Sequence, residues 1–299
     1  MRILLLTHAF NSLSQRLHIE LRERGHEVSV EFDINDAVTI QAVELFQPDL
    51  IIAPFLKRAI PEQIWANHCC LVVHPGIKGD RGPSALDWAI LNGEARWGVT
   101  VLQANAEMDA GDIWASGEFP MRAVSKASIY RHEVTETAVA ACLEAVERYQ
   151  QGDYQPEPLD YQNPDVRGTL QPLMKQQDRQ INWQQDTTET VLRKIRCADG
   201  FPGVRDEING RSLFLFDARP EQTLRGEPGE LIARCGNAVC RATVDGAVWI
   251  GHLRDKAGDH PFKLPAVQVL GDSAVDLPET SEGYQEIFYQ RRGDIGYLH

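Results

Sequence analysis

Residues 69–83 read Cys69-Cys70-Leu71-Val72-Val73-His74-Pro75-Gly76-Ile77-Lys78-Gly79-Asp80-Arg81-Gly82-Pro83, and they are followed further on by Gly98-Val99-Thr100-Val101-Leu102 and Asp109-Ala110-Gly111-Asp112-Ile113. The apolar run from Cys69 to Val73 has strand character and is broken after His74 by Pro75 and Gly76, which places the imidazole on the rim of a sheet. Ligands of open parallel sheets bind beyond the carboxyl ends of the strands. The second apolar run, Val99 to Leu102, feeds a short loop ending in Asp109, where Ala110 and Gly111 allow a sharp turn. The pattern predicts one histidine and one carboxylate converging from two adjacent strand ends.

Upstream of this stretch, strand and helix signals alternate. Ile3 to Leu6 is a buried-strand run, and Asn11-Ser12 caps a helix over Leu13 to Arg24 that Gly25 ends. Val28 to Phe32 gives a second strand, Ala37 to Phe46 a helix, and Leu50 to Ala53 a third strand. Such alternation predicts a parallel sheet with helices on both faces, an α/β Rossmann-like domain. The loop Thr7 to Ser12 lacks the G-x-G-x-x-G fingerprint, so the layout carries no warrant for a dinucleotide. Pro61 opens a short helix over Glu62 to Trp65, and Ser84 to Leu91 forms another. Ile113 to Phe119 reads as a strand antiparallel to its neighbour, and Ser125 starts one long amphipathic helix through about Gln150.

Downstream, composition changes. Residues 151–178 are rich in Gln, Pro, Asp and Tyr without a sustained period, as in a linker laid over the surface. Thr188 to Cys197 is helical and is stopped by Gly200-Phe201-Pro202-Gly203. Short strands then follow at Ser212–Phe216, Gly229–Arg234, Ala238–Thr243 and Val248–Leu253, the spacing of a small antiparallel, OB-like β-barrel. Beyond Tyr284 to Gln290, the run Gly293 to His299 starts a new apolar strand and stops, so a longer protein is expected to continue past residue 299.

Composition limits the possible functions. A net charge of -13 argues against a protein that neutralises nucleic-acid phosphates. The six cysteines, Cys69, Cys70, Cys142, Cys197, Cys235 and Cys240, form no C-x-x-C pair, and several lie in apolar runs where free thiols pack as small hydrophobes. They read as reduced, the compartment as cytoplasmic, and no metal site is expected. Arg2-Ile3-Leu4-Leu5-Leu6 is too short for a signal sequence and no later apolar stretch spans a bilayer, so no membrane partner is expected.

A histidine and an aspartate at strand ends suit acyl or formyl transfer. The attacking nucleophile must lose a proton, and the carbonyl oxygen becomes an oxyanion that needs a donor, whose removal typically costs about 3–4 kcal/mol of barrier. On spacing alone, a histidine at a strand end reads first as a structural residue. The surrounding motifs change that reading. Val72-Val73-His74-Pro75-Gly76, Arg81-Gly82-Pro83, Gly98-Val99-Thr100 and Asp109-Ala110-Gly111-Asp112-Ile113, in this order, resemble the folate-dependent formyltransferases, the family of glycinamide ribonucleotide and methionyl-tRNA formyltransferases. Their pattern is Asn-x-His-x-Ser, Arg-Gly before a Pro, Gly-Val-Thr and Asp-x-Gly-(Asp/Pro)-Ile. Ile181-Asn182-Trp183, Leu192-Arg193-Lys194-Ile195-Arg196 and Phe201-Pro202-Gly203 resemble the linker and second-domain entry of the tRNA-formylating branch.

Two positions depart from the pattern. The family asparagine falls on Val72 and the serine on Gly76. Valine donates no hydrogen bond, so His74 works with a backbone amide or a bound water, or the chemistry differs from the standard transfer. A narrower resemblance covers these departures: His74 to Ser84 with Leu86-Asp87-Trp88-Ala89, Leu170 to Lys175 with Asp178-Arg179, and Phe262 to Ala266 are similar to the front half of the HypX (HoxX) family of hydrogenase maturation factors. In that family a formyltransferase-like half precedes a crotonase-like half, whose first strand Ile295-Gly296-Tyr297-Leu298-His299 resembles.

The resemblance implies that 10-formyltetrahydrofolate supplies a one-carbon unit, leaving tetrahydrofolate. That unit is passed toward coenzyme A and ultimately released as carbon monoxide for a [NiFe]-hydrogenase, with hydrogenase maturation proteins as partners. It implies His74 as general acid/base and Asp109 as its partner, with Leu56, Lys57, Arg58 and Ala59 on one wall of the pterin pocket and Asn105 to Met108 on the other. The implied domains are a catalytic domain over 1–152, a linker over 153–185, the OB-like domain over 186–275 and a tail over 276–299 leading into the crotonase-like part. Asp80 and Arg81 read as an ion pair holding the loop. The alternatives are formylation of methionyl-tRNA or another amine, which the acidic Glu31 to Asp36 segment disfavours for tRNA, and a non-catalytic folate-binding module.

Overall fold

Why the first strands form is plain from their side chains: Leu4 to Leu6 and Leu50 to Ile52 are apolar runs buried on both faces, as parallel sheets require. A computed structural model of the chain describes residues 1–257 and 262–281. The N-terminal elements are β1 (Arg2–Thr7), α1 (Ser12–Glu23), β2 (Glu27–Phe32), α2 (Asp36–Phe46), β3 (Leu50–Phe55), α3 (Glu62–Trp65), β4 (Cys70–His74), α4 (Ala85–Asn92), β5 (Arg96–Gln103), β6 (Ile113–Pro120), α5 (Lys126–Ile129) and α6 (Thr135–Gln151). One six-stranded sheet runs β2-β1-β3-β4-β5-β6. Its first four strands are parallel, and the Rossmann-like layout is present.

Helix starts follow their caps. The Asn11 side chain accepts from Ser14 N at 3.0 Å and the Asn35 side chain from Val38 N at 3.0 Å, each satisfying one orphan amide of a first turn. The helix expected over Ser125 to Gln150 is interrupted: a π-helical turn over Tyr130–Val134 separates α5 from α6, and the Thr135 hydroxyl donates to Tyr130 O at 2.7 Å across it. Asn11 donates to the Tyr130 hydroxyl at 3.2 Å, so the extra residue in the turn directs this ring toward the loop after β1.

The strand Ile113–Pro120 runs antiparallel to its neighbour, as expected, but the antiparallel pairing begins one strand earlier than in the sequence reading. Both β5 and β6 are antiparallel, β5 against β4 as well as against β6. A run buried on both faces, such as Val99 to Leu102, reads the same in either direction, so its sequence carried no sign of orientation.

Two compact units are present. The first comprises Met1–Ala89, Glu94–Ala123 and Ser128–Leu173; the second comprises Ile90–Gly93, Val124–Ala127 and the residues from Met174 onward. The stretch expected as a linker over 153–185 is shared between them. Residues 153–173 lie in the first unit, where Glu157 bridges Ile113 and Gly168 N donates to Lys78 O at 2.9 Å. The second unit contains α7 (Thr188–Ala198), β7 (Val204–Ile208), β8 (Arg211–Glu221), β9 (Leu231–Cys235), β10 (Ala238–Ala242), β11 (Ala247–Asp255), β12 (Leu264–Pro265), α8 (Ala266–Leu270) and α9 (Asp272–Val275). Its sheet is antiparallel, in the order β7-β8-β11-β10-β9, around the buried Trp249. The strand expected over Gly293 to His299, and the element over Tyr284 to Gln290, lie outside the described residues.

Among the described residues no helix is long and apolar enough to cross a membrane. All six cysteines are free. Burial pushes the thiols of Cys70 and Cys142 up to about 12 and that of Cys69 up to about 11, so they act as packing groups and not as nucleophiles.

Candidate active site

His74 is the last residue of β4 and pairs in register with Thr100 of β5. Its ring is 4% exposed and lies between two carboxylates: Nε2 is 2.7 Å from Asp80 Oδ2, and Nδ1 is 3.5 Å from Asp109 Oδ2. Carboxylates only accept, so a ring protonated on both nitrogens satisfies both contacts. The expected pair, His74 and Asp109, is therefore brought together.

The route is not the expected one. Because β5 is antiparallel, its last residue, Gln103, pairs with Leu71 near the start of β4, and Asp109 does not arrive from a strand end beside His74. The loop over 104–112 doubles back instead. Gln103 N donates to Asp112 O at 2.8 Å at the base of that loop, and Asp109 itself takes the left-handed conformation, at φ 53°. Aspartate tolerates that region better than most side chains. Gly111 has a different task from the expected turn: a Cβ there would overlap the Gln103 carbonyl, so glycine allows the two arms of the loop to close. Asp109 is then fixed by Gly82 N, which donates to Oδ2 at 3.0 Å.

Asp80 does not pair with Arg81, contrary to the sequence reading. It is 2% exposed and bonded to the imidazole, while Arg81 donates to Glu107 at 2.6 Å and through Nε to Met108 O at 3.0 Å. Arg81 thus ties the segment preceding Asp109 to the glycine-rich loop. Burial pushes the Asp80 carboxyl above the usual carboxylate range; the bond to His74 pulls it back in part, and the Asp109 charge pushes the same way as burial. The signal available in sequence was the six-residue spacing of His74 and Asp80 with a glycine between them at position 76.

The other anticipated residues divide. Leu56 packs on an apolar cluster with Val72 and Ala104, so the loops after β3 and β5 do face one another there. The position of the family asparagine, Val72, belongs to this apolar wall. Lys57 contributes its backbone N–H to Asp33 Oδ2 at 3.4 Å, and Asp33 also holds His8 Nδ1 at 2.8 Å, at the carboxyl ends of β1 to β3. The Arg58 guanidinium is turned to Asp36 at 2.6 Å, on an exposed surface. Ala59, Asn105 and Met108 are exposed, Met108 at 61%. Asn105 accepts from Glu107 N at 2.9 Å and so shapes its own loop.

A separate open groove of about 740 Å³ lies in the second unit, against Trp183, Gly229 and Arg241. Its guanidinium is already engaged, by Asp206 at 2.6 Å, by Gly229 O at 2.6 Å and by the face of Trp183 at 4.1 Å. It presents no acid/base pair.

The fold is that of the formyltransferases. A family model described as formyl transferase matches residues 31–146, and another, described as formyl transferase, C-terminal domain, matches residues 173–260. The chain belongs to the formyltransferase family. Within that family it is similar to the hydrogenase maturation factor HoxX of Bradyrhizobium diazoefficiens, at 54% identity over all 299 residues and 52% of that protein. Its fold matches the crystal structure of HypX from Aquifex aeolicus in complex with tetrahydrofolic acid, with TM-score 0.88 and 50% identity over 94% of this chain and 49% of that one. A methionyl-tRNA formyltransferase from Bacillus licheniformis is 25% identical over 88% of this chain and 79% of its own length. The chain spans about half the length of the HoxX and HypX relatives.

Proposed function

We propose that this chain binds 10-formyltetrahydrofolate at the loops after β3 and β5 and transfers its formyl group, with the thiol of coenzyme A as acceptor. The observation that carries the reading is the buried imidazole of His74 held between two carboxylates on a formyltransferase fold. It is supported by the 50% identical HypX, which was crystallised with tetrahydrofolic acid.

The acceptor sulfur attacks the formyl carbon and loses its proton to the cluster of His74, Asp80 and Asp109, where a carboxylate takes it up, while the carbonyl oxygen takes up the negative charge. The tetrahedral species collapses by breaking the bond from carbon to N10, which receives the proton, so formyl-coenzyme A and tetrahydrofolate leave with no net proton change. The Nδ1–H of His74, whose contact with Asp109 is the longer at 3.5 Å, turns to the developing oxyanion, while Asp80 on Nε2 and the nearby Asp109 stabilise the imidazolium. Val72 supplies no second donor; a backbone amide or a water does so. Leu56, Ala59, Asn105 and Met108 line the pterin, and Lys57 and Arg58 attract the anionic tail of the folate. In the reading's wider form, the product passes to a crotonase-like part of a longer protein and ends as carbon monoxide for a [NiFe]-hydrogenase, in the cytoplasm, with other maturation proteins as partners.

The test is direct. The 299-residue chain is incubated with 10-formyltetrahydrofolate, with and without coenzyme A, and tetrahydrofolate release is followed. Release dependent on coenzyme A is the expected result; tight folate binding without formyl loss under any acceptor overturns the enzymatic reading.

A further inference from the structure

We propose that Asp80 is a positioning residue of this site: its carboxyl holds Nε2 of His74 and shares the ring proton, so that the imidazole is oriented from both nitrogens and not from Asp109 alone. What the imidazole does rests on the formyl-transfer reading above. Which groups hold it follows from the geometry.

Asp80 is the closer of the two acids, at 2.7 Å against 3.5 Å, and the more buried, at 2% exposure against 12%. Asp109 Oδ2 is also shared with Gly82 N. The backbone that presents Asp80 is clamped. Its N–H donates to Ile77 O at 2.9 Å, Gly168 N donates to Lys78 O at 2.9 Å, and Arg81 N donates to Thr169 O at 3.2 Å, so residues 168–171 run along the loop. A Cβ at position 168 would overlap the Asp80 amide, which is how closely the two segments approach.

Gly76 gives an independent sign. A Cβ at this position would lie 2.5 Å from both Asp80 Oδ2 and His74 Nε2, the two atoms that form the bond. The family pattern has serine here. Its replacement by glycine is what allows the aspartate to reach the ring. Other groups around the pair are committed elsewhere: Lys78 to Glu157, Arg81 to Glu107, the Tyr161 hydroxyl to Gly79 O and the Thr100 hydroxyl to Gly76 O. Asp109 is the second charge facing the ring. A carboxyl desolvated in this way accepts a proton from an imidazole more readily than a solvated one.

The test uses Asp80→Ala, Asp80→Asn, Asp109→Asn and Gly76→Ala of the full chain. Proton NMR of the wild type should show a downfield, slowly exchanging imidazole N–H, retained in Asp109→Asn and lost in Asp80→Ala and Gly76→Ala. In tetrahydrofolate release, Asp80→Asn, which keeps a hydrogen-bond acceptor but not a proton-accepting carboxylate, should lower kcat about 100-fold and displace the acid limb of its pH profile, with KM for the formyl donor within about twofold. The Asp80→Asn/Gly76→Ala double variant should be no slower than the slower single one, because both act on one bond. Wild-type kcat and pH profile in Asp80→Asn, or independent losses in the double variant, overturn the proposal. Should the wild type release no tetrahydrofolate, the formyl-transfer reading falls. The NMR arm then decides the pair alone: loss of the signal in Asp80→Ala upholds it and its absence from the wild type overturns it.

Discussion

Replacing His74 by alanine removes the one group that separates two acids. Asp80, 2% exposed, and Asp109, 12% exposed, would then face each other with no donor on the side of the lost ring. Losing a charge-assisted hydrogen bond in a buried place costs about 2–3 kcal/mol. At about 2–4 °C per kcal/mol for a unit of this size, the melting temperature at pH 7 should fall by about 5–10 °C.

The loss should depend on pH, with a determined sign. Burial already raises the Asp80 carboxyl in the folded chain, and without His74 both influences that pull it back down disappear. A carboxyl whose folded pKa is raised binds its proton more tightly in the native state, so stability grows as the pH falls through that value and is lost as it rises. The gap between variant and wild type should therefore be widest at neutral pH and narrow on acidification. Thermal melts by circular dichroism from pH 5 to pH 8 read this, and stopped assays of tetrahydrofolate release read the activity, which should drop 10²- to 10⁴-fold, about the usual contribution of a general acid/base. A folded variant with unchanged turnover, or a stability loss constant across that range, would refute the reasoning.

Three further outcomes follow from contacts described above. Arg81→Ala frees Glu107 and Met108 O, so the segment carrying Met108 and Asp109 loosens; formyl transfer should fall about tenfold in kcat/KM, corresponding to about 1.4 kcal/mol, by steady-state kinetics. Gly111→Ala forces the loop arms apart at Gln103 O, and denaturant titration should show about 1–3 kcal/mol of destabilisation together with reduced activity. Arg241→Met breaks the pair with Asp206 in the second unit; because Asp206 still accepts from Trp183 Nε1 at 2.9 Å, the loss should be about 1–3 kcal/mol, with folate binding measured by calorimetry unchanged.

Much of the first unit was legible because buried parallel strands advertise themselves as uninterrupted apolar runs, and a helix cap such as Asn11 acts within four residues. The motifs around His74 were legible for a related reason, since a tight turn needs Pro75 and Gly76 in sequence next to the strand they end. The π-helical turn at Tyr130 was not, because its spacing differs from an α-helix by a single residue within an otherwise regular amphipathic pattern.

By itself, then, the sequence determined the alternation of β1 to β4 with helices, the place of His74 at a strand end and the formyltransferase pattern, all of which depend on interactions between near neighbours in the chain. Only the tertiary structure decided that β5 runs against β4, that the Asp109 loop folds back to reach the ring, and that Asp80 turns to His74 while its neighbour Arg81 turns to Glu107. Those outcomes depend on which groups are desolvated together and which backbones can approach, as at Gly76, Gly111 and Gly168. Residues distant in sequence set these terms, and adjacency along the chain, which suggested the pair Asp80 and Arg81, does not.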